Sequence, residues 1–176
     1  MQVEGLQIDP LSYRKALGHF ASGVTVITTV HEGVAHGMTA NAFSSVSLNP
    51  PLVLISIDNH SRMQSLLARS GFYGVSVLGR NQEHFSRHFA GRPQADLQVP
   101  FVWQRDCPLL EGALVHLVCQ VIDTHVAGDH TLYIGQVEYL HYSDEHAPLL
   151  FYSGKYQALE EQRSLYPAYI TDPSMW

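Results

Sequence analysis

Two long segments with the character of β-strands lie close together near the end of the chain, with only three residues between them. The segments are ALVHLVCQVIDTHV at 113–126 and HTLYIGQVEYLHY at 130–142, and AGD connects them. Apolar residues alternate along one face of the first segment, and this face consists of Val115, Leu117, Cys119 and Val121. Because so short a connection joins only antiparallel strands, the sequence predicts a long hairpin here.

The rest of the chain supplies further short strands. They are predicted at 24–30 (VTVITTV), 51–58 (PLVLISID) and 72–78 (FYGVSVL). The stretch GMTANAFSSVSLNPP at 37–51 is predicted to be another strand followed by a loop. Residues 92–111 contain three prolines, so we expect a loop there with one short strand around 101–103.

Three short helices are predicted from their cap residues. The first begins with Asp9 as its cap and Pro10 as its first residue, and Gly23 is expected to end it. The second and third have Ser61 and Asn81 as caps, and each is followed by a glycine that stops the helix.

These elements predict a mainly β fold with short helices. About seven strands connected as hairpins, rather than as βαβ units, favour an antiparallel barrel. The length of 176 residues and an apolar content of 45% favour one domain over 1–176. Its ordered core is expected at about 10–160, followed by a variable C-terminal tail at 161–176.

Charge and hydropathy argue against several classes of partner. The chain has 10 Lys and Arg against 16 Asp and Glu, a net charge of −6, which is unfavourable for binding the phosphate backbone of nucleic acids. No polybasic run, signal peptide or apolar run of about 20 residues occurs, so we expect no membrane association and a cytoplasmic location.

Several familiar catalytic motifs are absent. The sequence contains no GxGxxG, no Walker phosphate loop, no GxSxG and no HExxH. His84 and His88 have the i, i+4 spacing of two metal ligands, but no third ligand stands at a recognisable spacing, and no metal is expected. Cys107 and Cys119 are the only cysteines, and Cys119 is expected to be a buried free thiol.

The stretch at 37–51 is unusually rich in short polar side chains. They are Thr39, Asn41, Ser44, Ser45 and Ser47. One interpretation is a long polar turn. The other is a set of donors and acceptors that holds a polar small molecule against the edge of a sheet.

Four segments in this order resemble the flavin reductase-like family, the small NAD(P)H:flavin oxidoreductases that serve two-component monooxygenases. They are RKALGHFASGVTVITT, HGMTANAFSSVSLNPPLVLISID, GDHTLYIGQV and PLLFYSGKY, and the resemblance spans Tyr13 to Leu159. It implies a homodimeric, flavin-binding split β-barrel. It also implies FMN or FAD as cofactor, NADH or NADPH as hydride donor, and a separate monooxygenase as partner.

The resemblance also implies which residues bind the flavin. Ring contacts fall on Met38, Thr39, Ala40 and Asn41. Contacts to the ribityl chain and phosphate fall on Ser44, Ser45, Ser47, Asp58, Asn59, Ser61 and Arg62. Arg87 is implied to reach the same phosphate or an adenine extension, and Lys155 and Tyr156 to approach the cofactor or the partner subunit. Lys155 stands where the family often has Arg. On the residues alone, Ser44 and Ser45 are also ordinary turn formers, and Ser61 an ordinary helix cap.

His130 is the candidate catalytic residue. In the family the histidine of Gly128-Asp129-His130 helps to place the nicotinamide, and the resemblance implies that all three residues lie beside the flavin. Hydride would pass from the nicotinamide to the flavin, and because the cofactors carry this chemistry, no protein nucleophile is required. A plain hairpin turn is the alternative role for this tripeptide.

Two other functions of the whole protein stay open, namely a flavin-binding electron carrier without efficient NAD(P)H oxidation and a dimeric barrel without enzymatic activity.

Overall fold

Seven strands form one antiparallel sheet in a computed structural model that describes residues 8–159. The strands are β2 Thr25–His31, β3 Val34–Ala40, β4 Phe43–Leu48, β5 Pro51–Asp58, β6 Phe72–Val77, β9 Val115–Ala127 and β10 His130–Tyr142. Their order across the sheet is β3-β2-β6-β9-β10-β5-β4. The mainly β, antiparallel prediction is confirmed. The tail at 161–176 lies outside the described residues.

The remaining elements are short. Three helices are α1 Pro10–Leu17, α2 Arg62–Ser70 and α3 Glu83–Phe89, with a 3-10 turn at Arg80–Gln82 before α3. The remaining strands form a two-stranded hairpin and a three-stranded sheet: β7 Phe101–Gln104 with β8 Cys107–Leu110, and β1 Ser22–Gly23 with β11 Leu150–Tyr152 and β12 Lys155–Gln157. Among residues 8–159, no helix has the length and apolar character required to cross a membrane.

The predicted long hairpin is confirmed as β9 and β10, and two half-sheets share it. β6 pairs with the first half of β9, at 115–120. β5 pairs with the first half of β10, at 130–136, which lies opposite the second half of β9. The sheet therefore coils, and its two edges are β3 and β4. Because no strand ladder joins these two edges, the barrel is open between them within the described part of the chain.

The interior of the coiled sheet is an apolar cluster sealed by α2. Ile27, Ile55 and Tyr73 are fully buried in it, and Met63 and Leu67 of α2 pack against them. The predicted caps of α2 are confirmed, since the Ser61 hydroxyl accepts from the Gln64 amide at 3.3 Å and Gly71 adopts φ 70°. Cys119 belongs to this cluster as the expected free thiol, and burial raises its pKa to about 12.

Two predicted helix boundaries are wrong. α1 ends at Leu17, not near Gly23, because the Gly18 amide closes the last turn and no residue of α1 is buried against a surface that would extend the helix. Asn81 is not a cap, because it lies inside the 3-10 turn, where the Gln82 side chain accepts from the Gly79 amide at 3.1 Å.

Two segments predicted as loop are strands. The second half of 37–51 forms β4, which pairs with β5 despite its serines. The predicted short strand around 101–103 is confirmed as β7, whereas Cys107–Leu110, predicted as loop, forms β8, whose Cys107, Leu109 and Leu110 are fully buried. The strand at 107–110 was missed because its burial depends on contacts with distant residues, and the local proline content gives no information about such contacts.

Gly135 leaves space that the core requires. A Cβ at this position would collide with Tyr73 Oη and lie 2.8 Å from Cys119 Cβ, and both groups are buried. We expect Gly135→Ala to lower the free energy of unfolding by about 1–3 kcal/mol through overpacking, as measured by urea denaturation. The matched control is Gly23→Ala, where no atom lies within 4 Å of the added methyl. Equal stability of the two variants would contradict this packing.

Candidate functional site

One of the two edges of the sheet runs along β3 into the turn that joins it to β4. The Ala40 carbonyl accepts from the Thr25 hydroxyl at 2.6 Å, and the chain then turns through Asn41 and Ala42. Because β3 is an edge strand, alternate backbone N–H and C=O groups along it have no strand partner. The segment therefore presents a row of donors and acceptors beside the predicted ring contacts.

A small cavity lies on the outer side of this edge. Its volume is about 160 Å³, and its lining includes Thr39, Asn41, Ser86 and Tyr156. The Thr39 hydroxyl donates to the Ser86 carbonyl at 2.7 Å, and the hydroxyl oxygens of Ser86 and Tyr156 are 2.8 Å apart. These contacts hold β3, α3 and β12 together around the cavity.

A larger cleft with a cationic rim adjoins the small cavity. This cleft has a volume of about 420 Å³ and shares Phe151 and Tyr156 with the small cavity. Arg87, Arg92 and Lys155 are among the residues that line it. The structure therefore brings the predicted residues Arg87, Lys155 and Tyr156 next to Thr39 and Asn41. We call the larger space the cationic cleft.

The β9–β10 turn is tied to the turn that follows β5. The Asn59 amide donates to the Asp129 carbonyl at 3.0 Å, and the Asn59 side chain donates to the Gly128 carbonyl at 3.4 Å. The Thr131 hydroxyl donates to Asn59 Oδ1 at 2.6 Å. Asn59 thus makes contacts that fix the position of Gly128-Asp129-His130, and its phosphate contact stays a prediction.

The predicted catalytic residue, His130, is half-exposed beside its neighbour Asp129. Its Nδ1 lies 2.8 Å from Asp129 Oδ1, and its side chain is 41% exposed. This hydrogen bond is the main cause that lowers the pKa of Asp129 below its ordinary value, and the positive charge of Arg14 adds to it. In the neutral imidazole the contact places the proton on Nδ1 and leaves Nε2 as an acceptor.

β5 connects the two parts of the site. The Ser56 amide donates to the Ala42 carbonyl at 3.1 Å, beside the β3–β4 turn. Asp58 lies opposite His130 in the β5–β10 ladder. Since Ser56 and Asp58 are two residues apart on one strand, the backbone contacts lie about 7 Å apart.

Ser61 and Arg62 lie at the start of α2, beside the inward face of β3. Arg62 lines a groove of about 270 Å³ with His36 and Met38. Burial lowers the pKa of His36, and the positive charges of Arg62 and His31 lower it further. Asp58 is bound locally, because its Oδ1 accepts from the His60 amide at 2.7 Å.

The three predicted serines lie on β4, and only one of them faces another part of the site. Ser44 lines a groove of about 330 Å³ that includes Asn41 and Phe43. Its hydroxyl donates to the Ser45 carbonyl at 3.1 Å. A register shift in the β4–β5 ladder separates Ser45 from Ser47, and neither lines the small cavity or the cationic cleft.

Sequence reasoning missed several residues that line the site. They are Glu83, Ser86, Arg92 and Phe151. The first three lie on or just after α3, and the cluster of apolar residues under this helix brings them against β3 and β12. Phe151 comes from β11, far away in the chain. No local motif signals this juxtaposition, because long-range packing creates it.

The histidines on α3 have other neighbours. His84 packs against Phe85 with ring centres 4.0 Å apart, and His88 Nδ1 accepts from the Gln94 amide at 3.2 Å. Residues 8–159 contain no cluster of three or more His, Cys, Asp or Glu side chains arranged to hold a metal.

The contacts of Asn59 generate a stability prediction. Thr131 is only 6% exposed, so Asn59→Ala leaves its hydroxyl buried without its partner. We expect the free energy of unfolding to fall by about 1–3 kcal/mol, as measured by urea denaturation. Thr131→Val removes the other partner, and in the double variant the two losses should fall short of additivity by about 1 kcal/mol. Fully additive losses would show that the two side chains are not coupled.

The chain is similar in sequence to known flavin reductases. The family model described as flavin reductase like domain matches residues 17–160. An NADH-dependent flavin reductase from a Rhodococcus species is 55% identical over 157 residues, which cover 88% of this chain and 89% of that protein. The reductase subunit HsaB of a flavin-dependent monooxygenase from Rhodococcus jostii is 37% identical over 161 residues, covering 90% and 82%.

The fold is also similar to that of a solved flavin reductase structure. The flavin reductase PheA2 in its native state superposes with a TM-score of 0.85 at 45% sequence identity, covering 88% of this chain and all of that one (100%). The segments that carry the resemblance fall inside the matched range. The chain therefore belongs to the flavin reductase like domain family.

Proposed function

We propose that this protein is an NADH-dependent flavin reductase that passes hydride to FMN or FAD, with NADPH as the alternative donor. The observation that carries the proposal is the open edge of β3, whose backbone groups and Asn41 adjoin the cavity beside Tyr156. Two further points support it: the family of the chain, and the printed activity of the Rhodococcus relative.

The chemistry of the β3 edge fits the flavin ring. The ring carries donors and acceptors along one edge, and an edge strand offers backbone groups of both kinds. Met38 and Ala40 supply backbone contacts, while Thr39 and Asn41 supply short polar side chains. When bound, the flavin supplies the hydride-accepting centre, and the protein supplies orientation and electrostatics.

The phosphate contacts are divided between two strand ends. Ser61 and Arg62 follow β5 and combine backbone donors at the start of α2 with a guanidinium group. Ser44 adjoins Asn41 and suits the ribityl chain, with Ser45 and Ser47 further along β4. Asp58 and Asn59 hold the turn from which Ser61 projects.

His130 positions the nicotinamide. The hydrogen bond to Asp129 orients the imidazole, and the tie from Asn59 fixes the backbone of the turn. Nε2 then accepts a hydrogen bond from a donor such as the nicotinamide amide. Gly128 lets the chain reverse tightly, with φ 65°, so that His130 begins β10.

We also propose a homodimeric split barrel of one domain over 1–176 and a separate monooxygenase as partner. No residue of α1 is buried, and the apolar side chains of Leu11, Tyr13 and Leu17 on the helix, and of Phe20 just after it, are exposed. A second copy of the chain would cover this surface.

The proposed monooxygenase partner rests on a relative. HsaB is named as the reductase subunit of a flavin-dependent monooxygenase, and this supports a partner of the same class.

The direct test mixes the purified protein with NADH or NADPH and adds FMN or FAD. We expect the nicotinamide absorbance to fall at a rate that rises with added flavin. Absence of flavin-dependent turnover would contradict the proposal, and a protein that stays yellow without turnover would be an electron carrier.

The same assay tests His130. We expect His130→Gln to lower kcat/KM for NADH about tenfold, because one hydrogen bond to the nicotinamide is lost, while flavin affinity is unchanged. His125→Gln, at an exposed position on the same hairpin, is the matched control and should behave as wild type. Equal kcat/KM in the two variants would remove His130 from the site.

A further inference from the structure

We propose that the cationic cleft is a subsite for the adenosine diphosphate half of a dinucleotide, and that Glu83 selects an adenosine ribose without a 2′-phosphate. This proposal rests on the proposed function, because that function brings dinucleotides to the adjoining cavity. NADH and FAD share this half, so the two sources are separated by experiment.

The charge of the cleft is opposite to that of the chain. The whole protein carries a net charge of −6 from only 10 Lys and Arg. Three of these, Arg87, Arg92 and Lys155, line one cleft, together with the carboxylate of Glu83. Three positive charges and one negative charge leave two positive charges, which balance the two negative charges of a pyrophosphate. Guanidinium and ammonium groups are the ordinary protein ligands of phosphate oxygens.

The cleft also offers a flat surface to a purine. The Arg87 guanidinium carbon lies 4.9 Å from the centre of the Tyr156 ring. The ring is held by its hydroxyl contact with Ser86 at 2.8 Å and by edge-on packing against Phe151, with ring centres 5.5 Å apart. Bases stack on aromatic rings and on guanidinium planes, and such stacking tolerates any base.

The position of the cleft fits the second half of an extended ligand. Its volume of about 420 Å³ lies within the usual range of small-molecule sites. It shares Ala90, Phe151 and Tyr156 with the small cavity that includes Thr39 and Asn41. The adenosine half of a dinucleotide that binds at the β3 edge therefore has the cationic cleft beside it.

Glu83 has a free oxygen for the ribose. Both of its contacts with Arg87 fall on Oε1, at 2.7 Å from Nε and 2.5 Å from Nη2. Within residues 8–159, Oε2 takes part in no hydrogen bond between protein groups. A carboxylate accepts from the ribose hydroxyls of an adenosine and repels a phosphate at the 2′-position. Glu83 therefore favours NADH over NADPH.

Calorimetric titration with ADP tests the subsite without turnover. We expect ADP to bind the wild-type protein, and Arg92→Gln and Lys155→Gln each to weaken binding about tenfold through one lost phosphate contact. Both side chains are exposed, so folding should not change. The matched control is Arg69→Gln on α2, which should bind ADP as wild type does. No ADP binding, or equal binding by all four proteins, would overturn the subsite.

Competition kinetics identify the source of the adenosine half. Inhibition by ADP that is competitive with NADH assigns the cleft to the nicotinamide dinucleotide. Inhibition that is competitive with FAD but absent with FMN assigns it to FAD. ADP binding without competition against either ligand would overturn the proposal. Turnover with NADH and flavin but no ADP binding removes only the subsite, whereas ADP binding without any turnover removes only the reductase function.

Glu83→Gln tests ribose selection. We expect the affinity for 2′,5′-ADP relative to 5′-AMP to rise about tenfold, since the repulsion of the 2′-phosphate is removed while Arg87 and Arg92 remain. Glu138→Gln, whose partner Arg105 lies on the β7–β8 turn, is the matched control. An unchanged ratio in Glu83→Gln would show that Glu83 does not select the ribose.

Discussion

The pairing of one long hairpin with two different strands determines the rest of this structure. β6 pairs with β9 at the open end of the hairpin, and β5 pairs with β10 at the end that carries the turn, so the two half-sheets are offset along the hairpin. The two free edges of the sheet belong to β3 and β4, which are neighbours in sequence. The turn at Asn41 and Ala42 therefore stands at the opening of the barrel, where backbone groups are free of strand partners.

The opening becomes a site because α3 and the β11–β12 hairpin pack beside it. Phe85, Leu110 and Leu149 form a second apolar cluster outside the sheet, and this cluster holds α3 against β3. The apolar packing thereby places Ser86 and Arg87 next to Tyr156 and makes a cleft with a few polar groups. Such a site needs no nucleophile or metal of its own if a bound cofactor supplies the reactive centre.

The local residue pattern was sufficient to predict those strands and helices whose apolar and capping residues follow the pattern typical of the element that forms. β5 was predicted with its observed bounds, Pro51–Asp58, and the cap at Ser61 was predicted from hydrogen-bonding chemistry. One error arose where tertiary packing overrides local preference, as in the buried strand β8, and another where packing is absent, since α1 buries no residue and ends early. For the same reason the sequence indicated Thr39 and Asn41 but not Ser86 or Arg92, which reach the site only through the position of α3.

Hydrogen exchange of the backbone amides with and without saturating FMN tests the central claim, that the open edge of β3 and its turn bind the flavin. The proposed site predicts that those amides within 38–44 that have no strand partner exchange rapidly in the free protein and are protected when FMN binds, with smaller protection at 59–62. If FMN saturates the protein, as judged by the quenching of its fluorescence, while 38–44 exchange as before, the flavin binds elsewhere and the open edge is not the site.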